Sequence, residues 1–281
     1  MGLPQDFDLD EFLSRVLAED LGTGGDVTSS ATIGADARFS AAMNCREAIV
    51  VAGLEVAEAF FRALDRDVET QILAGDGDRA EPGTVLMRLG GNARAMLAAE
   101  RSALNTLQHL SGIATLTRRY ADAIAGTGAT LLDTRKTLPG LRVLEKYASR
   151  MGGAENHRMR LDDGVLIKDN HVAVCEGVAE AVRRAKAANT GLQVQVEVDR
   201  LDQIEPALAA GADRLLLDNM NPEVLRQAVA LVGGRVPLEA SGGVNLDTIR
   251  AIAETGVDFI SVGRITQSAP AVDIGLDYSL R

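Results

Sequence analysis

Cysteine is scarce in this chain. Cys45 and Cys175 are the only two, far apart and in no C-x-x-C pair. That excludes a disulfide framework, and the reducing cytoplasm is the simplest setting. Histidine is limited to three residues, scattered and without a Cys partner, so no zinc-type cluster is encoded. No apolar run is long enough to span a bilayer. The opening MGLPQDFDLDEF lacks the basic start and apolar stretch of a signal peptide, and Asp6 stands where a myristoylation signal carries Ser or Thr. Positive charge is short overall: 29 Lys and Arg against 40 Asp and Glu give a formal net charge of −11. A general nucleic-acid binder needs a basic face, and this balance argues against one. Lysine is rarest of all. Only positions 136, 146, 168 and 186 carry it, and none precedes Lys136, which rules out a swinging-lysine carrier domain in the first part of the chain. No G-x-G-x-x-G follows a predicted strand, so the main signal of a dinucleotide fold is missing.

What is present suits a globular protein of one large or two modest domains: 281 residues, 46% hydrophobic and 25% charged. A chain of this size buries a full core without staples. Asp8 to Leu17 reads as an amphipathic helix. Thr32 to Gly53 and Val68 to Leu89 read as strands broken by turns, with Pro82-Gly83 between two apolar runs as a hairpin signal. Ala93 to Ala125 reads as a long helical stretch that Ser111-Gly112 could break or kink.

The rhythm changes near Ala129. The short apolar runs ATLLD, GVLIKD, LQVQVEVD, DRLLLDN, VPLEASGG and DFISVGR alternate with helical patterns at Gly177–Ala188, Leu201–Ala210, Pro222–Val232 and Leu246–Thr255. Repeated strand–helix units favour a parallel sheet. Glu197, Asp218, Glu239 and Gly263 end the later strands at near-constant spacing. Polar residues at the C-terminal ends of successive strands favour a barrel over a doubly wound sheet.

Charge is not spread evenly. Arg135 to Lys168 holds eight Lys and Arg against four Asp and Glu, inside an acidic chain. Arg142, Lys146 and Arg150 sit at helical spacing and fit a solvated helix face. Arg135, Lys136 and Lys168 sit at strand ends and do not. In a chain that otherwise prefers Arg, Lys at two strand ends suggests a need for a compact ammonium.

Several groups on this rim carry chemistry. Ser241-Gly242-Gly243 follows a strand and precedes a helix expected near Leu246, and the next strand ends in Ser261-Val262-Gly263-Arg264. Two adjacent late-strand loops of this kind make the common phosphate grip of α/β barrels, where one alone could be a tight turn. Glu197 and Asp218 could hold ribose hydroxyls, bind Mg²⁺ or face a developing positive charge; the plainer alternative is an internal salt bridge. Arg135 and Lys136 offer a fork and a point charge. His157-Arg158 follows Gly152-Gly153, a flexible approach to a ligand. Lys168 closes another strand, whereas His171 and His109 read as structural. These residues imply a polyanionic ligand with a polar or cationic centre.

The strings EDLGTGGDVTS, ERSALNTLQHLSGIAT, DTRKTLPGLRVLEKYA, GGAENHRMRLDDGVLIKDNH, VEVD, LLLDN, LEASGGV and VGRIT run in this order along the chain. With them the chain resembles the quinolinate phosphoribosyltransferase family (carboxylating nicotinate-nucleotide pyrophosphorylases) over nearly its whole length. The resemblance implies an α/β fold: an N-terminal α/β sandwich domain, residues 1–107 completed by the tail 274–281, then an incomplete six-stranded α/β barrel, residues 108–273. It implies a cytoplasmic pentosyltransferase of NAD biosynthesis that joins quinolinate to phosphoribosyl pyrophosphate with Mg²⁺, releasing nicotinate mononucleotide, pyrophosphate and CO₂. It further implies a homodimer at least, with a hexamer open, each site being completed by the partner chain. Carried over residue by residue, Arg135, His157 and Arg158 hold the quinolinate carboxylates, with Arg101 from the other subunit. Lys136 and Lys168 face the pyrophosphate and substrate, Glu197 and Asp218 the ribose and metal, and Ser241, Gly242, Gly243 and Gly263 the 5′-phosphate. Arg264, which follows Gly263 directly, is expected to add a charge-assisted contact to that phosphate. Ala154, Arg160, Arg264 and Gln267 depart from the family's usual residues, and none removes a ligand. A molybdate-transport-associated paralogue would share the RKT and NHR regions but not an intact LIKDNH. A nicotinate phosphoribosyltransferase would need fewer cations, and a non-catalytic binding protein would have lost some of the charged rim.

Overall fold

The computed structural model describes residues 3, 4 and 7–279. The chain opens with α1 (Leu9–Leu21), α2 (Val27–Thr32), β1 (Arg38–Cys45), β2 (Ile49–Val50), α3 (Leu54–Leu64), β3 (Glu69–Ile72), β4 (Arg79–Ala80), β5 (Val85–Asn92) and α4 (Ala93–Ala123). It continues with β6 (Thr130–Leu132), α5 (Arg142–Gly152), β7 (Val165–Ile167), α6 (Asp169–Val174), α7 (Val178–Ala187), β8 (Val194–Val198), α8 (Ile204–Ala209), β9 (Arg214–Asp218) and α9 (Pro222–Val232). The last elements are β10 (Leu238–Ser241), α10 (Ile249–Ala253), β11 (Phe259–Ser261), α11 (Arg264–Gln267) and β12 (Ile274–Ser279). Two compact units result: Met1–Thr117 with Val143–Gly152 and Ala269–Arg281, and Arg118–Arg142 with Gly153–Ser268. A cut at 107/108 would fall inside α4, and most of α5 belongs to the first unit.

The first unit is built on an antiparallel sheet ordered β12-β1-β5-β3. Met43 and Cys45 on β1, and Leu86, Met87 and Leu89 on β5, are buried. Asp8 starts α1 by accepting the Glu11 amide, and Asp26 starts α2 by accepting that of Ser29. The Pro82-Gly83 turn forms, with Thr84 N–H bonded to the Glu81 carbonyl, but no hairpin follows. Gly83 donates to the Cys45 carbonyl and Cys45 to that of Thr84, so the turn docks on the end of β1 and β5 continues along β1; β4 pairs with β2 instead. α4 runs unbroken through Ser111-Gly112. The Ser111 hydroxyl accepts from the Ala52 amide, and a Cβ on Gly112 would lie 2.1 Å from the Pro270 carbonyl oxygen. The pair therefore serves close packing, not a kink. Nor is α5 a solvated face. Glu145 and Lys146 are fully buried, His109 Nε2 lies 2.8 Å from Glu145 Oε1, and the Tyr147 hydroxyl donates to Asp76.

The second unit is the parallel sheet β6-β11-β10-β9-β8-β7, each neighbouring pair in parallel register. All six apolar runs form strands. β6 and β7 end the order at opposite edges, so the barrel is incomplete; a bridge joins Leu132 to Glu155 beyond β6. Val194, Val196, Val198, Leu215, Leu217, Leu238, Ala240 and Ile260 are buried. Near-continuous apolar runs are what parallel strands covered on both faces require. Among the described residues no helix is long and apolar enough to cross a membrane.

Candidate active site

The carboxyl ends of these strands surround a cavity of about 750 Å³, lined wholly by the second unit. Among the lining groups are Arg135, Lys136, His157, Arg158, Lys168, Glu197, Asp218, Ser241, Gly242, Gly243, Gly263 and Arg264. Twelve of the thirteen residues singled out from sequence thus meet around one space. The thirteenth, Arg101, lies on α4 in the first unit. It is exposed, makes no hydrogen bond or ion pair among the described residues, and is absent from the lining. Its charge partly offsets the burial that pushes the Glu100 carboxyl up. Of the departures from the family pattern, Arg264 and Gln267 face the cavity, while Arg160 pairs with Asp162 and Ala154 is buried, both outside the lining.

The cationic side is organised by Asp133, fully buried after β6. Asp133 accepts the His157 amide at 2.8 Å and the Asn156 side-chain amide at 2.5 Å, which pins the NHR loop beside Arg135. Arg158 donates to the Gly164 carbonyl at 2.7 Å. Burial, and then the charge of Arg135, push the Arg158 guanidinium down from its ordinary value, against the pull of Asp163. The buried Nε atoms of both arginines lack hydrogen-bond partners among the described residues. Two under-satisfied guanidiniums of like charge, half-withdrawn from water, can together receive a planar anion. Gly152 closes α5 against Thr117 on α4, so the Gly152-Gly153 pair is not a loop at the ligand.

Lys168 Nζ lies 3.1 Å from Glu197 Oε2, so the internal salt bridge given as the plainer alternative for this rim forms. Lys136 makes no ion pair among the described residues, and its Cδ would sit 2.7 Å from a Cβ on Gly263. His171 accepts the Lys168 amide through Nδ1 at 2.9 Å and starts α6, a structural role. Burial and then the charge of Glu197 push the Asp218 carboxyl up, against the pull of Lys168, Asn219 and Lys136. Asn219 donates to Asp218 Oδ2 at 2.6 Å from a left-handed backbone of φ 56°, and its amide bonds the Ser241 carbonyl.

Gly242 is confined by that same asparagine. Its φ is 89°, and a Cβ there would meet Asn219 Oδ1 at 2.2 Å. The helix expected near Leu246 begins only at Ile249, because Asn245 first caps its own turn by accepting the Asp247 and Thr248 amides. The amides of Gly242, Gly243 and Val244 therefore find no acceptor among the described residues, and neither do those of Gly263 and Arg264. Two neighbouring loops present unpaired N–H groups to one cavity, an anion-binding arrangement.

The arrangement can hold a planar polycarboxylate at one end, a phosphate at the other and a cationic centre between them. Family models for the quinolinate phosphoribosyl transferase N-terminal and C-terminal domains match residues 26–111 and 113–277. The chain belongs to the quinolinate phosphoribosyltransferase family. It is 44% identical to the nicotinate-nucleotide pyrophosphorylase (carboxylating) of Mycobacterium leprae, over 94% of this chain and 95% of that one. Its fold matches the nicotinate-nucleotide pyrophosphorylase structures from Francisella tularensis (TM-score 0.93, 39% identity, 99% and 100% of the two chains) and Ehrlichia chaffeensis (TM-score 0.94, 40% identity, 98% and 100%).

Three residues of the site escape sequence reasoning. Asp133 and Glu239 each stand at or near the end of a strand, which is a signal without a role attached. Asn219 follows one, and only its backbone geometry shows why it matters. Glu239 is fully buried yet lines the cavity. Its Oε2 lies 2.7 Å from Arg214 Nη2, 2.8 Å from Gln195 Nε2 and 3.4 Å from His157 Nε2.

Proposed function

We propose that this enzyme transfers the phosphoribosyl group of phosphoribosyl pyrophosphate to the ring nitrogen of quinolinate, with loss of CO₂ to give nicotinate mononucleotide, in the cytoplasm and in the service of NAD biosynthesis. The observation that carries the reading is the paired guanidiniums of Arg135 and Arg158 facing two loops of unpaired amides across one cavity.

In this reading Arg135 and Arg158 take the two ring carboxylates by bidentate bonds. The amides of Gly242, Gly243 and Gly263, with the Ser241 hydroxyl and Arg264, take the 5′-phosphate. Lys136 and Lys168 neutralise the departing pyrophosphate; opposite charges about 4 Å apart are worth on the order of 4 kcal/mol at an effective dielectric near 20. Glu197 and Asp218 face the ribose, where positive charge develops at C1 as the C1–O bond breaks. The ring nitrogen then bonds to C1. The new positive charge on the ring holds the electron pair left at C2 when CO₂ departs, until a proton replaces it. The charge of Glu197 helps push the Asp218 carboxyl up, and two carboxylates that oppose each other on one rim fit a Mg²⁺ completed by substrate oxygens and water. Bound there, Mg²⁺ would supply further charge neutralisation for the pyrophosphate.

Two ring carboxylates and a pyrophosphate ask for more positive charge than one chain presents, and Arg101, exposed and without an ion pair among the described residues, is available to a neighbour. The active assembly is a homodimer at least, with Arg101 of each subunit completing the other's site. Purified protein with quinolinate, phosphoribosyl pyrophosphate and Mg²⁺ should form nicotinate mononucleotide, pyrophosphate and CO₂ in equal amounts. No product at substrate concentrations that saturate binding would overturn the assignment.

A further inference from the structure

The buried group around Glu239 is more than a neutral patch of core, because it ends on a residue of the cavity wall. The Arg158 amide donates to His157 Nδ1 at 2.7 Å. That nitrogen must then carry a lone pair, and the ring proton of the neutral imidazole sits on Nε2. Nε2 faces Glu239 Oε2 at 3.4 Å. Both ring nitrogens are thereby engaged with the protein. In this geometry His157 offers no N–H to a ligand and instead links the cavity floor to the backbone of Arg158.

Glu239 is suited to hold the other end. Its side chain is fully buried, and Arg214, stacked 3.8 Å from the Phe259 ring centroid, and Gln195 both lean on the same oxygen. Gln195 Nε2 donates to that oxygen at 2.8 Å and Arg214 Nη2 lies 2.7 Å from it, partners that hold the carboxylate form. It therefore remains an acceptor. A buried ion pair is a poor source of stability compared with apolar packing. Its presence at the floor of the site calls for a reason beyond the core.

We propose that Glu239 is a positioning residue for the acceptor dicarboxylate: it fixes His157 in the Nε2–H tautomer and, through Nδ1, fixes the Arg158 backbone so that its guanidinium meets a ring carboxylate. This rests on the function proposed above and assigns a further residue to the same site. The alternative is that Glu239 only neutralises Arg214.

Two measurements separate these. Long-range proton–nitrogen NMR on the wild-type enzyme reads the tautomer directly, with His157→Asn identifying its signals among three histidines. The expected state is Nε2–H with Nδ1 unprotonated, and an Nδ1–H tautomer would overturn the proposal whatever the enzyme's activity. The second is calorimetric binding of pyridine-2,3-dicarboxylate and of phosphoribosyl pyrophosphate. In the triple variant Gln195→Leu, Arg214→Met, Glu239→Leu, buried charge is replaced by apolar volume, and thermal melting confirms folding. Dicarboxylate Kd should rise at least about tenfold while that for phosphoribosyl pyrophosphate stays within about twofold. Glu239→Gln, which keeps an acceptor for Nε2–H, should recover most of the loss. A folded triple variant with unchanged dicarboxylate affinity contradicts the positioning role. Failure of the wild-type enzyme to bind the dicarboxylate contradicts the proposed function instead, and leaves the tautomer measurement to stand alone.

Discussion

Lys136 and Lys168 reach the cavity rim in different states. Lys168 is tied to Glu197, and Lys136, held against Gly263, makes no ion pair among the described residues. If both neutralise a leaving group, Lys136→Ala and Lys168→Ala should each lower kcat/KM at least about tenfold, or about 1.4 kcal/mol, without altering the melting temperature much. Full activity in both variants would remove them from the mechanism. Asp218 gives a sharper test at the same scale. Its carboxyl is pushed up by burial and by Glu197, so the folded chain binds that proton more tightly than the unfolded one. Stability is then lost as pH rises through the folded value. Asp218→Asn removes the penalty: at neutral pH the variant should melt above the wild type while its turnover falls, and the difference should shrink as pH drops below the ordinary carboxylate range. Equal stability differences at both pH values would show that Asp218 is not strained. The candidate ligands were legible because strand ends on a barrel rim are a fixed address. Asp133, Asn219 and Glu239 act by holding other residues, and such roles depend on contacts between strands distant in sequence.

At the scale of elements, the six barrel strands were legible because strands buried on both faces read as short apolar runs between turns. The N-terminal half was less so. Its turn at Pro82-Gly83 was visible, but which strand β5 joins depends on bonds from Gly83 and Cys45 that no local pattern reveals. α3, although it buries Leu54, Val56, Ala57, Phe60 and Phe61, falls between two strand-rich stretches and receives no assignment from the sequence. Gly112 shows the same limit. In a helix, glycine usually signals a weak point, and here the need comes from Pro270, far along the chain. Gly112→Ala should destabilise the protein by about 1–3 kcal/mol, the usual cost of overpacking, despite the better helix propensity of alanine. Chemical denaturation measures this, and a neutral or stabilising result would mean that the Pro270 segment gives way freely.

At the scale of the whole molecule, the proposed sharing of Arg101 between subunits carries its own prediction. Arg101→Ala and Lys136→Ala homodimers should each be nearly inactive. A mixed dimer collects both defects in one site and leaves the other site intact, so subunit exchange between them should restore part of the activity. Verified mixed dimers without activity would confine Arg101 to its own chain. The central claim is chemical: the site selects a dicarboxylate and removes the carboxyl next to the ring nitrogen. It is tested most directly with quinolinate carrying a carbon label in the 2-carboxylate, in competition with nicotinate. The expected result is one labelled CO₂ per nicotinate mononucleotide formed, with nicotinate left unused. Nicotinate mononucleotide formed from nicotinate, or formed without release of the label, would contradict it.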